Sequence, residues 1–232
     1  MAPRVSIITG AGSGIGRALA QLLSRRGDAI VLVGRRQDRL DETATRCTGP
    51  TLVRAADCRG HAAAQEVVHA ALHTFGRIDT LVNGAGVAPL VALDATTEEL
   101  LVDTFAVNAF GPAALIHRCW GTFVAQGCGR IVNLSTLGTT DPFEGYFAYA
   151  AAKSALDSMT RSAAREGKRH GIVAFSINFG CVDTEMLRKN FSTAHIPAER
   201  THSPEAAAAF IQPFVDGERD GDSGQCVPMP SP

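Results

Sequence analysis

VSIITGAGSGIGRALAQLL (residues 5–23) joins a short apolar run to a glycine-rich turn and a helical pattern. Residues 5–9 are mostly apolar or β-branched, as is typical of a buried strand, and apolar residues return at helical spacing after the turn. Between them, Gly10 can make a tight turn, Gly14 lets the backbone come close to a ligand, and Gly16 lets the helix lie close to the strand. The stretch therefore predicts a strand–turn–helix unit.

The same alternation of strand and helix patterns continues along the rest of the chain. Strands are predicted at 5–9, 29–33, 51–55, 78–83, 130–135, 172–178 and 225–229. Helices are predicted roughly over 14–26, 36–46, 60–75, 97–127, 146–169 and 204–215. Such alternation implies right-handed βαβ crossovers and a parallel sheet. The sequence thus predicts one doubly wound α/β domain, residues 1–232, with a sheet of about seven strands between two layers of helices.

The glycine-rich turn also predicts a ligand. A helix N-terminus offers free N–H groups and the positive end of the helix dipole, both of which suit a phosphate. Many tight strand–helix turns bind nothing, but this one follows the first strand and opens a helix, which is the context of a dinucleotide site. The cofactor-binding residues expected in this turn are Gly10, Ser13, Gly14, Ile15 and Gly16.

The end of the second strand bears on which dinucleotide is bound. A carboxylate there would accept hydrogen bonds from the ribose 2′-OH and repel a 2′-phosphate. This chain has Gly34 followed by Arg35 and Arg36, and guanidinium groups suit a phosphate dianion. NADP is therefore favoured, with NAD possible, since Ser13 adds no second positive charge. The alternative is that both arginines merely begin a solvated helix.

Composition argues against several classes of protein. Lys and Arg number 22 and Asp and Glu 23, and this balance is unlike that of a dedicated nucleic-acid or membrane-surface binder. No apolar run approaches the roughly 18 residues that predict a membrane span. The six cysteines form no C-x-x-C pair and no zinc-binding pattern, so we expect free thiols, no metal and a cytoplasmic protein.

Five stretches together resemble the short-chain dehydrogenase/reductase family. TGAGSGIG (9–16) is similar to its cofactor turn, LVNGAG (81–86) to the N-N-A-G segment, and VNAFG (107–111) to the mid-helix asparagine motif. RIVNLST (130–136) resembles the strand that ends in the active serine, and YAAAK (149–153) matches Y-x-x-x-K. Each motif alone is weak, but five in the right order are specific. The resemblance covers nearly the whole chain and implies a compact single-domain Rossmann-type fold.

The chemistry of carbonyl reduction favours one of the two tyrosines as the acid/base. A free tyrosine has a pKa near 10, and an ammonium beside the phenol favours the phenolate and lowers that pKa. Residues four apart share a helix face, which places Lys153 beside Tyr149. Tyr146 has no basic residue at that spacing, so we expect it to line the substrate pocket or simply to pack.

The resemblance implies the remaining roles. Ser135 would hold the substrate oxygen, Lys153 would also contact the nicotinamide ribose, and Asn108 would hold a water that passes protons toward Lys153. The alternatives are a strand-end turn residue for Ser135 and a buried polar kink for Asn108. Further cofactor contacts are implied for Asp57, Cys58, Asn83, Ala85, Gly86, Tyr149, Lys153, Gly180, Val182 and Thr184. Asp57 has a turn cap as its alternative role.

Some residues depart from the family pattern. Gly84 replaces the second asparagine of N-N-A-G, whose side chain helps to tie the central strands, at an expected loss of about 1 kcal/mol. Phe179 replaces a proline that would fix the loop around the nicotinamide, and it is bulky. Phe175 stands where the family commonly has asparagine. These changes place the wall of the nicotinamide site in question, and the expected catalytic residues are untouched.

The function expected is an NADP(H)-dependent oxidoreductase that interconverts a carbonyl and an alcohol. The alternatives are a nucleotide-binding sensor or scaffold with little turnover and, in third place, a pure interaction domain without nucleotide. A small apolar substrate is expected. The family resemblance implies a homotetramer or dimer, in which the long helices 97–127 and 146–169 would pair across two-fold axes. The substrate residues expected are Ser135, Leu137, Phe143, Tyr146, Tyr149, Cys181 and Met186.

Overall fold

A computed structural model describes residues 3–232 and shows one sheet of seven parallel strands. The strands are β1 (Val5–Thr9), β2 (Ala29–Gly34), β3 (Thr51–Ala55), β4 (Thr80–Asn83), β5 (Gly129–Thr136), β6 (Ile172–Phe179) and β7 (Cys226–Met229). Their order across the sheet is β3-β2-β1-β4-β5-β6-β7, which is the doubly wound arrangement. The predicted fold class and the seven predicted strands are confirmed, with small differences at the strand ends.

The helices differ from the expectation in two places. They are α1 (Gly14–Ser24), α2 (Gln37–Thr45), α3 (His61–Phe75), α4 (Glu98–Phe105), α5 (Gly111–Gln126), α6 (Phe147–Gly167), α7 (Glu185–Asn190) and α8 (Pro204–Asp216). The predicted helix 97–127 is α4 and α5 joined by a π-helical turn, Ala106–Phe110. The short helix α7 lies in a segment, 184–203, that was expected to be a loop.

Two apolar clusters cover the two faces of the sheet, because successive strand residues point to opposite sides. On one face Ile8 and Leu32 pack with α1 and α8 residues, among them Leu19 and Phe214. On the other face the neighbouring strand residues pack with α3, α5 and α6, for example at Phe123. This three-layer arrangement explains why the strands read as almost continuous apolar runs.

The continuous helical stretch Glu98–Gln126 is long and apolar enough to cross a membrane by length and composition alone. The sequence was expected to hold no such segment. In the structure α5 contacts α3 and strands β4 and β5, and α4 contacts α6. Its inner side includes the buried residues Leu115, Cys119 and Phe123, as in a core helix of a folded domain.

Glycines allow the β1–α1 turn to lie directly against the end of β4. A Cβ atom at Gly10 would lie 2.7 Å from the carbonyl oxygen of Gly84, and one at Gly16 would lie 2.5 Å from the carbonyl oxygen of Gly10. Gly10 also has a positive φ of 72°. The backbone segments therefore come together at distances that no other residue type permits.

The backbone around Gly84 leaves no room for the side chain of an asparagine. A Cβ at Gly84 would lie 2.7 Å from the Thr9 carbonyl oxygen. The Gly84 and Ala85 N–H groups both donate to the Thr9 hydroxyl, at 3.0 Å each. The close approach of β1 and the segment after β4 therefore depends on the absence of a side chain at this position.

The tie between the central strands is made by Asn83 instead. Its Nδ2 donates to Oδ1 of Asn133 at 2.8 Å, and Nδ2 of Asn133 donates to the Thr160 hydroxyl at 2.8 Å. All three residues are buried, so these bonds are shielded from water. The chain thus joins β4, β5 and α6 without the second asparagine of the family pattern.

Gly84→Ala is expected to destabilise the protein by about 1–3 kcal/mol, because the added methyl group must displace the β1 backbone. Urea denaturation measures the free energy of unfolding. Gly121→Ala serves as the control, since a Cβ at that exposed helical position meets nothing within 4 Å. The control should gain up to about 1 kcal/mol from helix propensity. Equal stability of the Gly84 variant and the wild type would contradict the proposed close approach.

Candidate active site

Two adjoining cavities open along the carboxyl ends of the strands, where ligands bind in doubly wound sheets. The larger measures about 470 Å³ and the smaller about 180 Å³. Gly10, Ser13, Ala85 and Gly86 line both, so the two cavities form one groove around the glycine turn. The larger cavity continues to Tyr149 and the smaller one to the end of β2.

The glycine turn leaves its helix N-terminus without a side-chain cap. Ser13 occupies the N-cap position of α1 but its hydroxyl makes no capping bond. The first N–H groups of α1 therefore point into the groove with no side-chain partner, as an anion site requires. Gly14 has a φ of 50°, and a Cβ there would lie 3.0 Å from the Thr184 methyl group. Ile15, Gly16 and Thr184 line the same cavity, as expected.

The smaller cavity brings together three arginines. Arg35 and Arg36 line it as expected, and Arg39 from α2 joins them. The Glu185 carboxylate, at the start of α7, lies 3.5 Å from Arg36 and 3.9 Å from Arg39. Gly34 lines the cavity at the end of β2, and no carboxylate stands at that strand end. Arg39 was missed in the sequence because it lies inside a helix, away from the strand-end positions considered.

Asp57 and Cys58 also line this smaller cavity. Asp57 accepts a hydrogen bond from the Arg59 N–H at 3.2 Å, so it does cap a turn, and the Arg59 guanidinium holds the pKa of the Asp57 carboxyl below its ordinary value. Burial raises the pKa of the Cys58 thiol to about 11. Asp57 therefore both caps a turn and lines the smaller cavity, so the two roles considered for it are compatible.

Asn83 does not line either cavity. Its side chain is 1% exposed and is turned inward to Asn133. The expected cofactor contact of Asn83 is therefore corrected to a tie between strands. Ala85 and Gly86, which follow it, do reach the groove because the chain leaves the sheet after β4.

Lys153 is buried on α6, one turn after Tyr149. Its ammonium donates a hydrogen bond of 2.6 Å to the carbonyl oxygen of Leu134 on β5. Burial lowers the pKa of Lys153 to about 8, and the negative charge of Asp157 acts in the opposite direction. A cation is therefore held at the floor of the larger cavity by a strand backbone.

The pKa of the Tyr149 phenol is set by groups other than the one expected. Burial is the main cause that raises its pKa above the ordinary value, followed by the neighbouring Tyr146, while a hydrogen bond with the Thr136 hydroxyl lowers it. Lys153 was expected to lower this pKa, whereas its own hydrogen bond is to Leu134. The phenol thus keeps its proton at neutral pH.

Thr136 is the residue that the sequence reasoning missed. Its hydroxyl lies near enough to lower the pKa of the Tyr149 phenol, accepts a hydrogen bond from the Gly138 N–H and lines the cavity. The sequence named Ser135 as the hydroxyl that holds the substrate oxygen. Ser135 also lines the cavity, is 5% exposed and has a hydroxyl oxygen without a hydrogen-bond partner. The signal for Thr136 was present, because a second hydroxyl follows Ser135 at the strand end.

Asn108 sits in the π-helical turn and is fully buried. Its Nδ2 donates to the carbonyl oxygens of Val87 and Thr104, at 2.8 and 3.0 Å, and its Oδ1 accepts from the Val87 N–H at 3.2 Å. A Cβ at Gly86 would lie 2.9 Å from Oδ1 of Asn108 and 3.7 Å from Nζ of Lys153. The asparagine is therefore both a buried polar kink and a close neighbour of Lys153.

Most of the expected substrate residues line the larger cavity. Leu137 is the exception, because it begins a 3₁₀ turn in which its neighbours Thr136 and Gly138 reach the cavity instead. Expected residues that do line the cavity are Ser135, Phe143, Tyr146, Tyr149, Cys181 and Met186. Additional lining comes from α7 and the segment after it, at Leu187, Phe191, His195 and Ile196.

Tyr146 connects the cavity wall to α7. Its hydroxyl accepts a hydrogen bond of 3.0 Å from Asn190, which also donates to the Ala88 carbonyl oxygen at 2.7 Å. The Tyr146 ring lies 5.3 Å from that of Tyr149 and 6.3 Å from that of Phe191, measured between centroids. Helix α7 therefore covers the end of the larger cavity where the substrate residues were expected, which is called the substrate end below.

Phe179 does not fill the groove at the place where the nicotinamide was expected. Its ring is 5% exposed and belongs to the apolar cluster on the α1–α8 face, so only an edge of it lines the cavity. Gly180, Cys181 and Val182 form the wall beside it. The bulk of Phe179 therefore does not close the cavity.

A doubly wound parallel sheet with this glycine turn defines a Rossmann-type fold. Residues 4–195 match the family model described as short chain dehydrogenase. An uncharacterized oxidoreductase of Staphylococcus epidermidis is 34% identical over 183 residues, which cover 79% of this chain and 80% of that protein. The chain therefore belongs to the short-chain dehydrogenase/reductase family, an oxidoreductase family whose members bind NAD(P).

Other similar proteins have more specific names. An NAD-dependent glycerol dehydrogenase of Listeria innocua is 31% identical over 213 residues, covering 89% of this chain and 84% of that protein. The structure of levodione reductase superimposes with a TM-score of 0.94 at 26% identity. That of a Brucella melitensis 3-ketoacyl-(acyl-carrier-protein) reductase complexed with NADH does so with 0.92 at 25%. Both cover 99% of this chain and 97% of the other.

The ionisation of Tyr149 can be measured directly because the chain has two tyrosines. In Tyr146→Phe, phenolate absorbance should rise only above the pH of about 10 that is ordinary for tyrosine, since burial disfavours the charged form. The reciprocal variant Tyr149→Phe reports on Tyr146, and circular dichroism checks that the fold persists. A Tyr149 midpoint at or below that of free tyrosine would show that burial does not control this phenol.

Proposed function

We propose that the protein is an NADP(H)-dependent oxidoreductase that interconverts a carbonyl and an alcohol, with Tyr149 as acid/base. The observation that carries this proposal is one continuous groove. Its central part is a glycine turn with an uncapped helix N-terminus, and its larger end holds Tyr149 beside Thr136 with Lys153 one turn away.

The residues present fit a dinucleotide. The close contacts at Gly10 and Gly16 keep side chains out of the turn, and α1 offers free N–H groups to a pyrophosphate. Arg35, Arg36 and Arg39 would hold the adenosine end, while Gly180, Val182 and Thr184 would flank the nicotinamide. When bound, the dinucleotide supplies or accepts the hydride.

The chain's own residues move and hold the proton. In the reducing direction Tyr149 donates its phenolic proton to the carbonyl oxygen, and its raised pKa keeps that proton in place at neutral pH. In the oxidising direction a phenolate is needed, and Thr136 is the neighbour that lowers the pKa of Tyr149 toward that form. Asn108 fixes the segment around Val87 next to Lys153 and would hold the water of a proton relay.

Thr136 is proposed to hold the substrate oxygen together with Tyr149. Both residues line the larger cavity, and the Thr136 hydroxyl lies near enough to lower the pKa of the phenol, so both groups can bond to one substrate oxygen. Ser135 stays the second candidate, because its buried hydroxyl has no hydrogen-bond partner and borders the same cavity. Substitution of each residue separates the two.

The substrate proposed is a small apolar ketone, aldehyde or alcohol. Phe143, Met186, Leu187 and Phe191 line the substrate end, together with the exposed His195. Such a wall gains little from a phosphorylated or strongly charged substrate. The names of the similar reductases, one acting on a dione and one on a ketoacyl group, are compatible with this class.

An NADP preference is the proposed cofactor specificity. Support comes from three arginines around the smaller cavity and from Gly34 in place of a strand-end carboxylate. Two of the similar proteins named above carry NAD or NADH in their descriptions, so NAD is the competing cofactor.

We propose that the protein acts as a homotetramer or dimer in the cytoplasm. Val102, Phe110 and Phe147 expose large apolar side chains on the helical stretch 98–126 and on α6, the helices expected to pair across two-fold axes. The molar mass in solution, measured by light scattering, tests the assembly.

Tyr149→Phe is expected to lose at least about a hundredfold in kcat/KM with NADPH across a panel of apolar ketones, because it removes the donated proton. Thr136→Ala should lose a comparable factor and Ser135→Ala much less. Full activity of Tyr149→Phe would remove the acid/base assignment. Tight NADPH binding by the wild type without turnover of any carbonyl would support the nucleotide sensor instead.

The double variant Arg35→Ala/Arg36→Ala should weaken NADPH binding by about tenfold or more and leave NADH binding nearly unchanged, because only NADPH carries the 2′-phosphate. Fluorescence titration of both nucleotides measures this. Arg46→Ala is the matched control, since Arg46 pairs with Glu42 on the exposed side of α2 and does not line the cavity. Equal weakening of both nucleotides would overturn the NADP preference.

A further inference from the structure

Asp157 is a buried acidic residue that the roles assigned so far leave out. It follows Lys153 by four residues on α6, so Tyr149, Lys153 and Asp157 lie along one face of the helix, one turn apart from each other. Only 4% of Asp157 is exposed. A buried carboxylate is unfavourable unless hydrogen bonds or an opposite charge compensate for the lost hydration.

Both carboxylate oxygens are occupied by donors from β6. Ser176 donates to Oδ1, and Nδ2 of Asn178 donates to Oδ2 at 2.9 Å. Two donors directed at two oxygens are the pattern of an ionised carboxylate, which can only accept. The charge of Asp157 therefore remains inside the protein, one helical turn from the Lys153 ammonium.

Asn178 carries the connection further, to the backbone at the site. The same Nδ2 lies 3.1 Å from the Thr136 carbonyl oxygen and 3.0 Å from the Thr139 hydroxyl. Thr136 is the residue whose side chain contacts the Tyr149 phenol. A continuous set of contacts thus runs from the carboxylate on α6 to the strand end that holds the site hydroxyl.

We propose that Asp157 is a positioning residue of this active site, which acts through Asn178 to fix the backbone at Thr136 and through its charge to keep the Lys153 ammonium protonated beside the cavity. The proposal deepens the proposed oxidoreductase function and rests on it. Asp157 lines neither of the two cavities of the groove, so it acts through other residues.

The position of Asn178 gives this network a second consequence. Asn178 immediately precedes Phe179, where the family usually has a proline that fixes the chain around the nicotinamide. Here the side-chain amide of Asn178 joins β6 to the end of β5 by hydrogen bonds. The network therefore restricts, from inside the sheet, a strand end that lacks the proline ring.

Few other charges face this group. From β7, Cys226 lies near the carboxylate, and burial first and the Asp157 charge second raise the pKa of that thiol. Arg161, on the exposed side of α6, contacts Cys226 rather than Asp157. Around Lys153 itself, β5 contributes the Leu134 carbonyl, and the π-helical turn contributes Asn108 near Gly86. Asp157 is thus the acidic neighbour that favours the Lys153 ammonium.

The decisive measurement is the ionisation of Lys153 by carbon NMR of labelled lysine. The chain has three lysines, and the exposed Lys168 and Lys189 serve as internal references. In Asp157→Asn the Lys153 midpoint should fall by about one pH unit, because an opposite charge favours the protonated form. The alkaline limb of the pH profile of kcat/KM should move to lower pH by the same amount. The substitution should change kcat by a larger factor than KM.

Ser176→Ala is the matched control, since it removes one hydrogen bond to Asp157 and keeps the charge. A merely structural role predicts similar losses of thermal stability in both variants and an unchanged Lys153 midpoint in both. An unchanged midpoint in Asp157→Asn would overturn the proposal. If the wild type reduces no carbonyl, the oxidoreductase function fails separately, and the NMR titration still decides the role of Asp157.

Asn178→Ala carries the test if Asp157→Asn does not fold. This variant keeps the charge and cuts the contact with Thr136. Its Lys153 midpoint should match the wild type, amide hydrogen exchange over residues 136–139 should quicken at least about tenfold, and kcat should fall. Wild-type exchange and kcat in Asn178→Ala would overturn the proposed connection.

Discussion

The direct contact of the β1–α1 turn with the end of β4 is the constraint on which the site depends. Three glycines, Gly10, Gly16 and Gly84, bring backbone to backbone at distances that a Cβ would prevent. This contact places the uncapped start of α1 next to the segment 84–88. That segment in turn bonds to Asn108 and passes close to Lys153, so one packing contact positions both the groove and the residues proposed to move the proton.

Helix α6 is placed against the sheet by buried polar groups as well as by apolar ones. Lys153 bonds to the backbone of β5, Thr160 to Asn133, and Asp157 to two side chains of β6. Hydrogen bonds of this kind tolerate little sliding or rotation, since each depends on distance and direction. These hydrogen bonds also fix the position of Tyr149, because it lies on the same helix as Lys153, Asp157 and Thr160.

The sequence was sufficient for the architecture, because strand alternation and glycine spacing follow from local periodicity. The preference for Tyr149 over Tyr146 also rests on a local feature, the i,i+4 lysine, and it stays a prediction. Thr136 was given no role and Asn83 was expected to contact the cofactor, because the direction of a side chain at a strand end depends on how the chain leaves the sheet. Helix α7 was missed because its six residues carry too short a pattern to distinguish from a loop.

The π-helical turn at Ala106–Phe110 has a consequence for aligning this chain with others. Each α-helical residue advances the helix by about 100°, so a wider turn shifts the angular phase of everything after it. The sides of α4 and α5 that face the core therefore belong to two different registers within one continuous helix. A homologue with plain α-helix here would align with this chain only across a one-residue gap, and that gap would fall beside Asn108.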